Sequence, residues 1–185
     1  KLGPVCFVPH VEMPTLFSRS MRRAGIRQTF TEGMSPHPKI SLGPPLPVGV
    51  FSLCELADLW LDEEDPSCMD RLNDYLPEGL RVKRACRADG RSLSKSCDGA
   101  QYLLCFKVNE MSKAAVGILS SRVERVGPSS VGKCLDVIML KPYEASPAMF
   151  VKLLSSEGVV SSWGDIRIVR TKLGRWDGHE VISLL

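Results

Sequence analysis

Ala88-Asp-Gly-Arg-Ser-Leu-Ser-Lys-Ser-Cys-Asp-Gly-Ala100 is polar and punctuated by Gly90 and Gly99. It reads as a linker or a long crossing loop, because the periodic pattern stops before it and restarts after it. Downstream, Gln101–Val108 reads as a strand and Met111–Arg122 as a helix. Val123–Val126 fits a short strand before the Gly127–Gly132 turn, and Cys134–Lys141 is a strong strand. Ser146-Pro147 caps a helix to Ser155, and Asp165–Lys172 closes the set. Asp177-Gly178 turns a last hairpin into Glu180–Leu185. Upstream, Val5–Val8 reads as the end of a strand, and Pro14 suits the first turn of a helix. That helix places Met13, Leu16, Phe17, Met21 and Ala24 on one face and stops at Gly25. Ile26–Thr31, Leu53–Leu61 and Leu80–Arg87 fit strands, and Asp65-Pro66 starts a second helix with Met69, Leu72, Tyr75 and Leu76 facing inward. Each half therefore has the order βαββαβ. The fold class expected is α+β: two tandem ferredoxin-like modules with antiparallel sheets, residues 1–87 and 101–185, the second more divergent, joined by 88–100.

The composition agrees with a folded chain. Of 185 residues, 44% are apolar and 24% charged, which excludes a disordered, collagen-like or coiled-coil chain. A chain of this length buries roughly 70% of its unfolded surface, so it needs no disulfide or metal in order to fold. No apolar run approaches the roughly 18 residues of a membrane helix, and Lys1-Leu2-Gly3 does not open a signal peptide. The seven cysteines are scattered without a CxxC pair, which argues for reduced, mostly buried thiols and a cytoplasmic location, and against an iron–sulfur cluster or zinc ribbon. Neither a cofactor nor a metal is expected.

Charge is segregated although the net is only +3. Six basic residues face two acidic ones in 1–50, whereas 51–80 holds nine acidic residues and one basic. Residues 81–101 again hold six basic against two acidic. Arg19, Arg22, Arg23, Arg27 and Lys39, with Arg81, Lys83, Arg84 and Arg87, make a candidate stripe for RNA phosphates. The alternative is an ordinary solvated face. No aromatic pair of the RNP type falls on a strand, so shape and phosphate contacts would carry the binding.

Between the first helix and residue 50 lies a rigid irregular loop, with three glycines and five prolines within 33–49. His37 sits between Pro36 and Pro38 and precedes Lys39, which suits contact with a phosphate or carboxylate as well as simple pinning to the core. His10, two residues before Glu12, is a candidate acid or base with Glu12 fixing its tautomer. It is equally a histidine at the start of a helix. His10, His37, Glu12 and Glu32 match no zinc or facial-triad spacing. There is no nucleophile elbow, Walker loop or dinucleotide glycine pattern, which leans away from an independent enzyme. Trp60 shares a strand face with Asp58, marking an interface or a ring under the first helix.

Several blocks carry a resemblance: Lys1-x-Gly3, Phe7-Val8-Pro9-His10-Val11-Glu12-Met13, and Phe17-x-Arg19-x-Met21-Arg22-Arg23-Ala24-Gly25. The strongest runs from Glu32-Gly33-Met34-Ser35-Pro36-His37-Pro38-Lys39 through Gly43-Pro44-Pro45-Leu46-Pro47-Val48-Gly49-Val50. It continues through Glu55-x-x-Asp58 to Leu76-Pro77-Glu78-Gly79-Leu80, with a faint echo at Ile168-x-Arg170-Thr171. Over about residues 1–85 the chain resembles a bacterial family described as radical SAM-linked proteins, a domain of unknown function. The resemblance implies a radical SAM protein as partner and a setting near RNA processing. Cys6 and Thr15 stand where that family commonly has arginine, which weakens an anion site at those two positions. The function expected is an accessory binding protein that acts with a radical SAM enzyme on RNA. The alternatives are a metal-free RNA-processing or RNA-modifying enzyme using His10 and His37, and a purely structural partner domain.

Overall fold

In the computed structural model, which describes residues 1–185, the first half contains helix α1 (Met13–Arg23), strands β1 (Ile40–Leu42), β2 (Phe51–Ser52) and β3 (Ala57–Leu59), and helix α2 (Cys68–Asn73). There follow α3 (Leu93–Ser96), β4 (Gly99–Phe106), α4 (Asn109–Leu119), β5 (Arg125–Pro128), β6 (Cys134–Leu140), α5 (Ala148–Ser156), β7 (Ile166–Trp176) and β8 (Val181–Ser183). The long strands form where alternation is strong. In β4, Ala100, Tyr102, Leu104 and Phe106 are buried, and the residues between them are only half-buried. Leu135, Val137 and Met139 of β6 and Ile166 and Ile168 of β7 join that buried face. Ala115 and Leu119 of α4 and Phe150, Val151 and Leu154 of α5 close over it.

The strands run in the order β2-β7-β4-β6-β5, with β8 also on β7. Within β7-β4-β6-β5 every neighbour is antiparallel, the arrangement of a split β-α-β unit. The sheet as a whole is mixed rather than antiparallel, because β2 lies parallel to β7 with Phe51 opposite Val169 and Ser52 opposite Arg170. No helix is long and apolar enough to cross a membrane.

The first half departs from expectation. The expected strand at Val5–Val8 is a 3₁₀ turn over Gly3–Phe7, begun by Pro4. Ile26–Thr31 makes only isolated bridges, Gln28 to Leu61 and Phe30 to Pro38. Leu53–Leu61 shortens to β3, which pairs with β1 alone. Leu80–Arg87 joins no ladder; the Asn73 side chain holds both the amide and the carbonyl of Val82, at 2.8 and 2.9 Å. An independent four-stranded sheet in residues 1–87 is therefore absent. The physical reason is that strand propensity needs a partner edge and a face to bury. Leu80 and Val82 find one against α1 and α2, and residues 83–92 are exposed.

Packing does not stop at residue 87 either. A small cluster unites Met13, Phe17, Met21, Ala24 and Ile26 with Leu72 of α2. Leu46, Val50 and Leu56 belong instead to the main core, under the sheet of the second half. The stretch read as a linker also contributes, since Leu93 and Cys97 are buried in that core and Gly99 opens β4. Gly79 turns with φ +86° where a Cβ would lie 2.0 Å from the Leu2 carbonyl oxygen, so Pro77-Glu78-Gly79 admits glycine only at its end.

The cysteines correct a second expectation. Cys105 and Cys134 face each other across β4 and β6 with Cα atoms 4.1 Å apart, and they are joined in a disulfide. The spacing is that of a close cross-strand pair. Cys6, Cys54, Cys68, Cys86 and Cys97 are free thiols.

Replacing Asn73 with alanine removes two hydrogen bonds to the Val82 backbone and is expected to lower stability by about 1–2 kcal/mol. Limited trypsin digestion should then cut faster at Arg81, Lys83 or Arg84. Unchanged cleavage there would show that the clamp does not hold the basic segment.

Candidate functional site

Alternation along β7 turns Ile166, Ile168 and Arg170 toward the buried side, and the Arg170 side chain has 0% exposure. Its two terminal nitrogens each donate to the Pro44 carbonyl at 3.0 Å, and Nη2 also donates to Glu55 Oε1 at 2.6 Å. The loop returns the contact through its backbone, with Leu53 N–H donating to the Arg170 carbonyl at 2.9 Å. The Cys54 thiol also lies 3.6 Å from that carbonyl. Arg170 Nε and the Tyr102 hydroxyl are the unpartnered members of this cluster. A buried guanidinium is tolerable only with a counter-ion and acceptors, and the 44–55 loop supplies both.

The cluster sets the protonation of its members. Burial pushes the Glu55 carboxyl up, but the Arg170 guanidinium and the Ser52 hydroxyl outweigh it and leave the value lowered, so Glu55 is ionised near neutrality. Burial raises the Cys54 and Cys97 thiols to about 11 against the opposing pull of Arg170. Both therefore stay protonated at neutral pH and make poor nucleophiles. Tyr102 is raised to about 12, again by burial.

His10 stands at the edge of this cluster. It begins a 3₁₀ turn over His10–Glu12 and is half-buried. Burial lowers its pKa, opposed by Glu55 and reinforced by Lys1 and Arg170. Its charged neighbours are thus Glu55, Lys1 and Arg170, and Glu12 points to solvent. His37 is exposed on the loop between Phe30 and Pro38, where its amide takes the Thr31 hydroxyl as acceptor at 3.0 Å. No hydrogen bond ties His10 to His37. No three His, Cys, Asp or Glu side chains converge on a point that would suit a metal ion.

The motif loop divides in two. Glu32, Gly33, Pro36 and Met34 are exposed around His37, whereas Gly43 and Pro44 are buried and Gly49 donates to the Cys6 carbonyl at 3.0 Å. Arg19, Arg22 and Arg23 lie on the side of α1 opposite Phe17, Ser20 and Met21 and are exposed, as is Arg84. Lys39 sits 5.0 Å over the Trp60 ring, and that ring is 37% exposed. α1 does not cover it.

Two of the four carboxylates in the acidic 62–65 segment are paired with cations elsewhere in the first half. Glu63 pairs with Arg27 at 3.0 Å, Asp65 pairs with Arg71, and Asp62 accepts from the Thr29 hydroxyl. In contrast, Arg19, Arg22, Arg23, Lys39, Arg81, Lys83, Arg84 and Arg87 enter no ion pair.

Glu55 and Arg170 escaped the sequence-based search for functional residues. Two signals pointed to them: an arginine at a buried position of an alternating strand, and the occurrence of both residues within blocks of family likeness. A family model described as an uncharacterized protein conserved in bacteria, DUF2344, matches residues 1–133. Neither a curated protein nor a solved structure matches the chain.

Removing one member of the buried pair leaves the other unsatisfied. Glu55→Ala is expected to lower stability by about 3–5 kcal/mol in urea unfolding, and Glu55→Leu with Arg170→Met to recover much of it. Because the Glu55 value is lowered on folding, its stabilisation is full above the unfolded value of about 4.3 and is lost as pH falls through the folded value. The wild type should therefore lose more stability below about pH 4.3 than Glu55→Ala. Parallel acid profiles would refute the role given to the pair.

Proposed function

Starting from a chain that belongs to this bacterial family of uncharacterised proteins, we propose that it is an RNA-binding accessory module that acts in the cytoplasm beside a radical SAM enzyme. The observation that carries the RNA part is the set of exposed, unpaired cations on α1, on Lys39 and on the 81–87 segment. The ion pairs of the acidic 62–65 segment are with Arg27 and Arg71, and none is with these cations. A surface kept cationic in this way attracts a polyanion through counter-ion release, without need of a deep pocket. The radical SAM partner rests on the sequence likeness of residues 1–85 alone. On this reading the second half is a ferredoxin-like body to which the motif loop is clamped, and that loop carries His37 and Lys39 outward.

The enzymatic alternative draws its support from His10. Burial lowers the pKa of its imidazole against the opposing charge of Glu55, which favours the neutral form that a general base needs. His37, exposed and bonded only through its backbone, is not held near it. The buried thiols offer no nucleophile. Binding is therefore the first reading and RNA cleavage the second.

Binding to total small RNA at two salt concentrations tests both readings. The wild type should bind with a steep salt dependence, each phosphate contact adding about 0.7 to 0.9 to the slope of log affinity against log salt. Arg19→Ala, Arg22→Ala and Arg23→Ala together should cut that slope by about two and weaken binding at least about tenfold. Cleavage products that disappear in His10→Ala would promote the enzymatic reading. Absence of binding in both proteins would leave a purely structural partner domain.

A further inference from the structure

The two helices α4 and α5 cover one face of the six-stranded sheet; on the other face Arg125 and Arg167 are exposed, Gln101, Leu103, Asp136 and Val169 are half-buried, and Cys134 and Ile138 are buried. Strand register lines up Phe51, Val169, Leu103, Asp136 and Gly127 across it, from β2 at one edge to β5 at the other. At the β2 edge, Arg167 lies over the Phe51 ring at 5.7 Å. At the β5 edge, Arg125 lies over the Trp176 ring at 5.8 Å and donates to the His179 carbonyl. The β7–β8 hairpin therefore reaches over to β5, leaving a shallow groove of about 230 Å³ floored by Gln101, Asp136, Ile138 and Gly127. Gly127 opens that groove, since a Cβ built on it meets nothing within 4 Å.

We infer that this second face is the seat for single-stranded RNA, with bases stacked on the Arg167–Phe51 and Arg125–Trp176 pairs and one base edge set against Gln101 and Asp136. The inference rests on the RNA reading above and names where the bases go. Unstacked bases pack on aromatic rings and on arginine planes alike, and a flat sheet flanked by such groups is a generic platform for them. Charge favours this occupant. Arg125 and Arg167 enter no ion pair, while the carboxylate of Asp136 is already engaged by Gln101 Nε2 at 3.3 Å. The apolar part of the face comprises Phe51, Val169, Leu103, Ile138 and the Cys105–Cys134 disulfide, and because Ile138 and Cys134 are buried, little of it is exposed for a protein interface. The aromatic signal was not visible as an RNP pair because Phe51 is on the edge strand β2 and Trp176 is the last residue of β7. Phe51 is delivered from the first half of the chain, and Trp176 by the end of β7.

The test compares the full chain on two fluorescent probes, an oligouridylate of about eight nucleotides and an abasic backbone of the same length. Wild type should hold the oligouridylate at least about tenfold tighter than the abasic probe, the margin that stacking of a base or two supplies. Gly127→Leu, which fills the groove from open space, and the pair Arg125→Ala and Arg167→Ala should each erase about tenfold of that margin. The Arg19, Arg22 and Arg23 variant should weaken both probes alike. Thermal unfolding checks that Gly127→Leu is folded, and the double arginine variant decides if it is not. Equal affinity for the two probes overturns the inference, as does an oligouridylate affinity unmoved by the face variants. In both cases RNA that still binds through α1 leaves the broader reading standing. Failure of the wild type to bind either this probe or total small RNA overturns both.

Discussion

Arg170 is a cation at the centre of an apolar strand face, and the position of residues 43–56 follows from its needs. Both terminal nitrogens turn to the carbonyl of Pro44, and Glu55 supplies the counter-charge from the far end of the same loop. A desolvated guanidinium without these partners would be far too costly to keep. The loop is therefore bound at both ends to one side chain. Gly43 tightens the arrangement, since it donates to the Leu56 carbonyl at 2.8 Å and a Cβ there would approach that oxygen to 3.3 Å. With the ends fixed, Leu46, Val50 and Leu56 drop into the main core, and Phe51 and Ser52 align along β7 as an added strand.

This clamp separates a rigid interior from an exposed set of basic groups. The part of the motif loop beyond the clamp, Glu32 to Lys39, is held only by bridges to the 28–31 segment and by the Trp60 contact of Lys39. The first half has a small core of its own, around Phe17, Met21 and Leu72, which suffices to fix α1 and the start of the basic 81–87 stretch. The ionised groups follow the same division. Inside, Glu55 and Arg170 neutralise each other. Outside, the acidic 62–65 run takes up Arg27 and Arg71, and Arg19, Arg22, Arg23, Lys39 and the cations of 81–87 are left facing water.

Legibility tracked how far each element depends on distant partners. α1, α4, β6 and α5 lie within a few residues of their expected limits, because each buries a stripe or face written in its own periodicity. Leu80–Arg87 alternates as a strand should, yet joins no ladder, because Asn73 satisfies its backbone locally at Val82 and nothing pairs with the rest. The polar 88–100 stretch hides Leu93 and Cys97, which only the packing of the main core turns into interior residues. The candidate site divides in the same way. The exposed cations of α1 were readable from the helical wheel, whereas Glu55 meets Arg170 across 115 residues of chain.

By itself the sequence determined the α+β class, the strand and helix order of the second half, the unbroken polarity of the α1 outer face, and the stiffness of the glycine- and proline-rich loop. These are local properties, fixed by side-chain period and backbone dihedral limits within a few turns of chain. Tertiary structure alone decided that the loop is welded to the second half, that Cys105 and Cys134 meet across two strands, and that Phe51 and Trp176 flank one sheet face. Each of those depends on strand register and on the solvation of a buried charge. Both are settled only when segments far apart in the chain compete for the same partners.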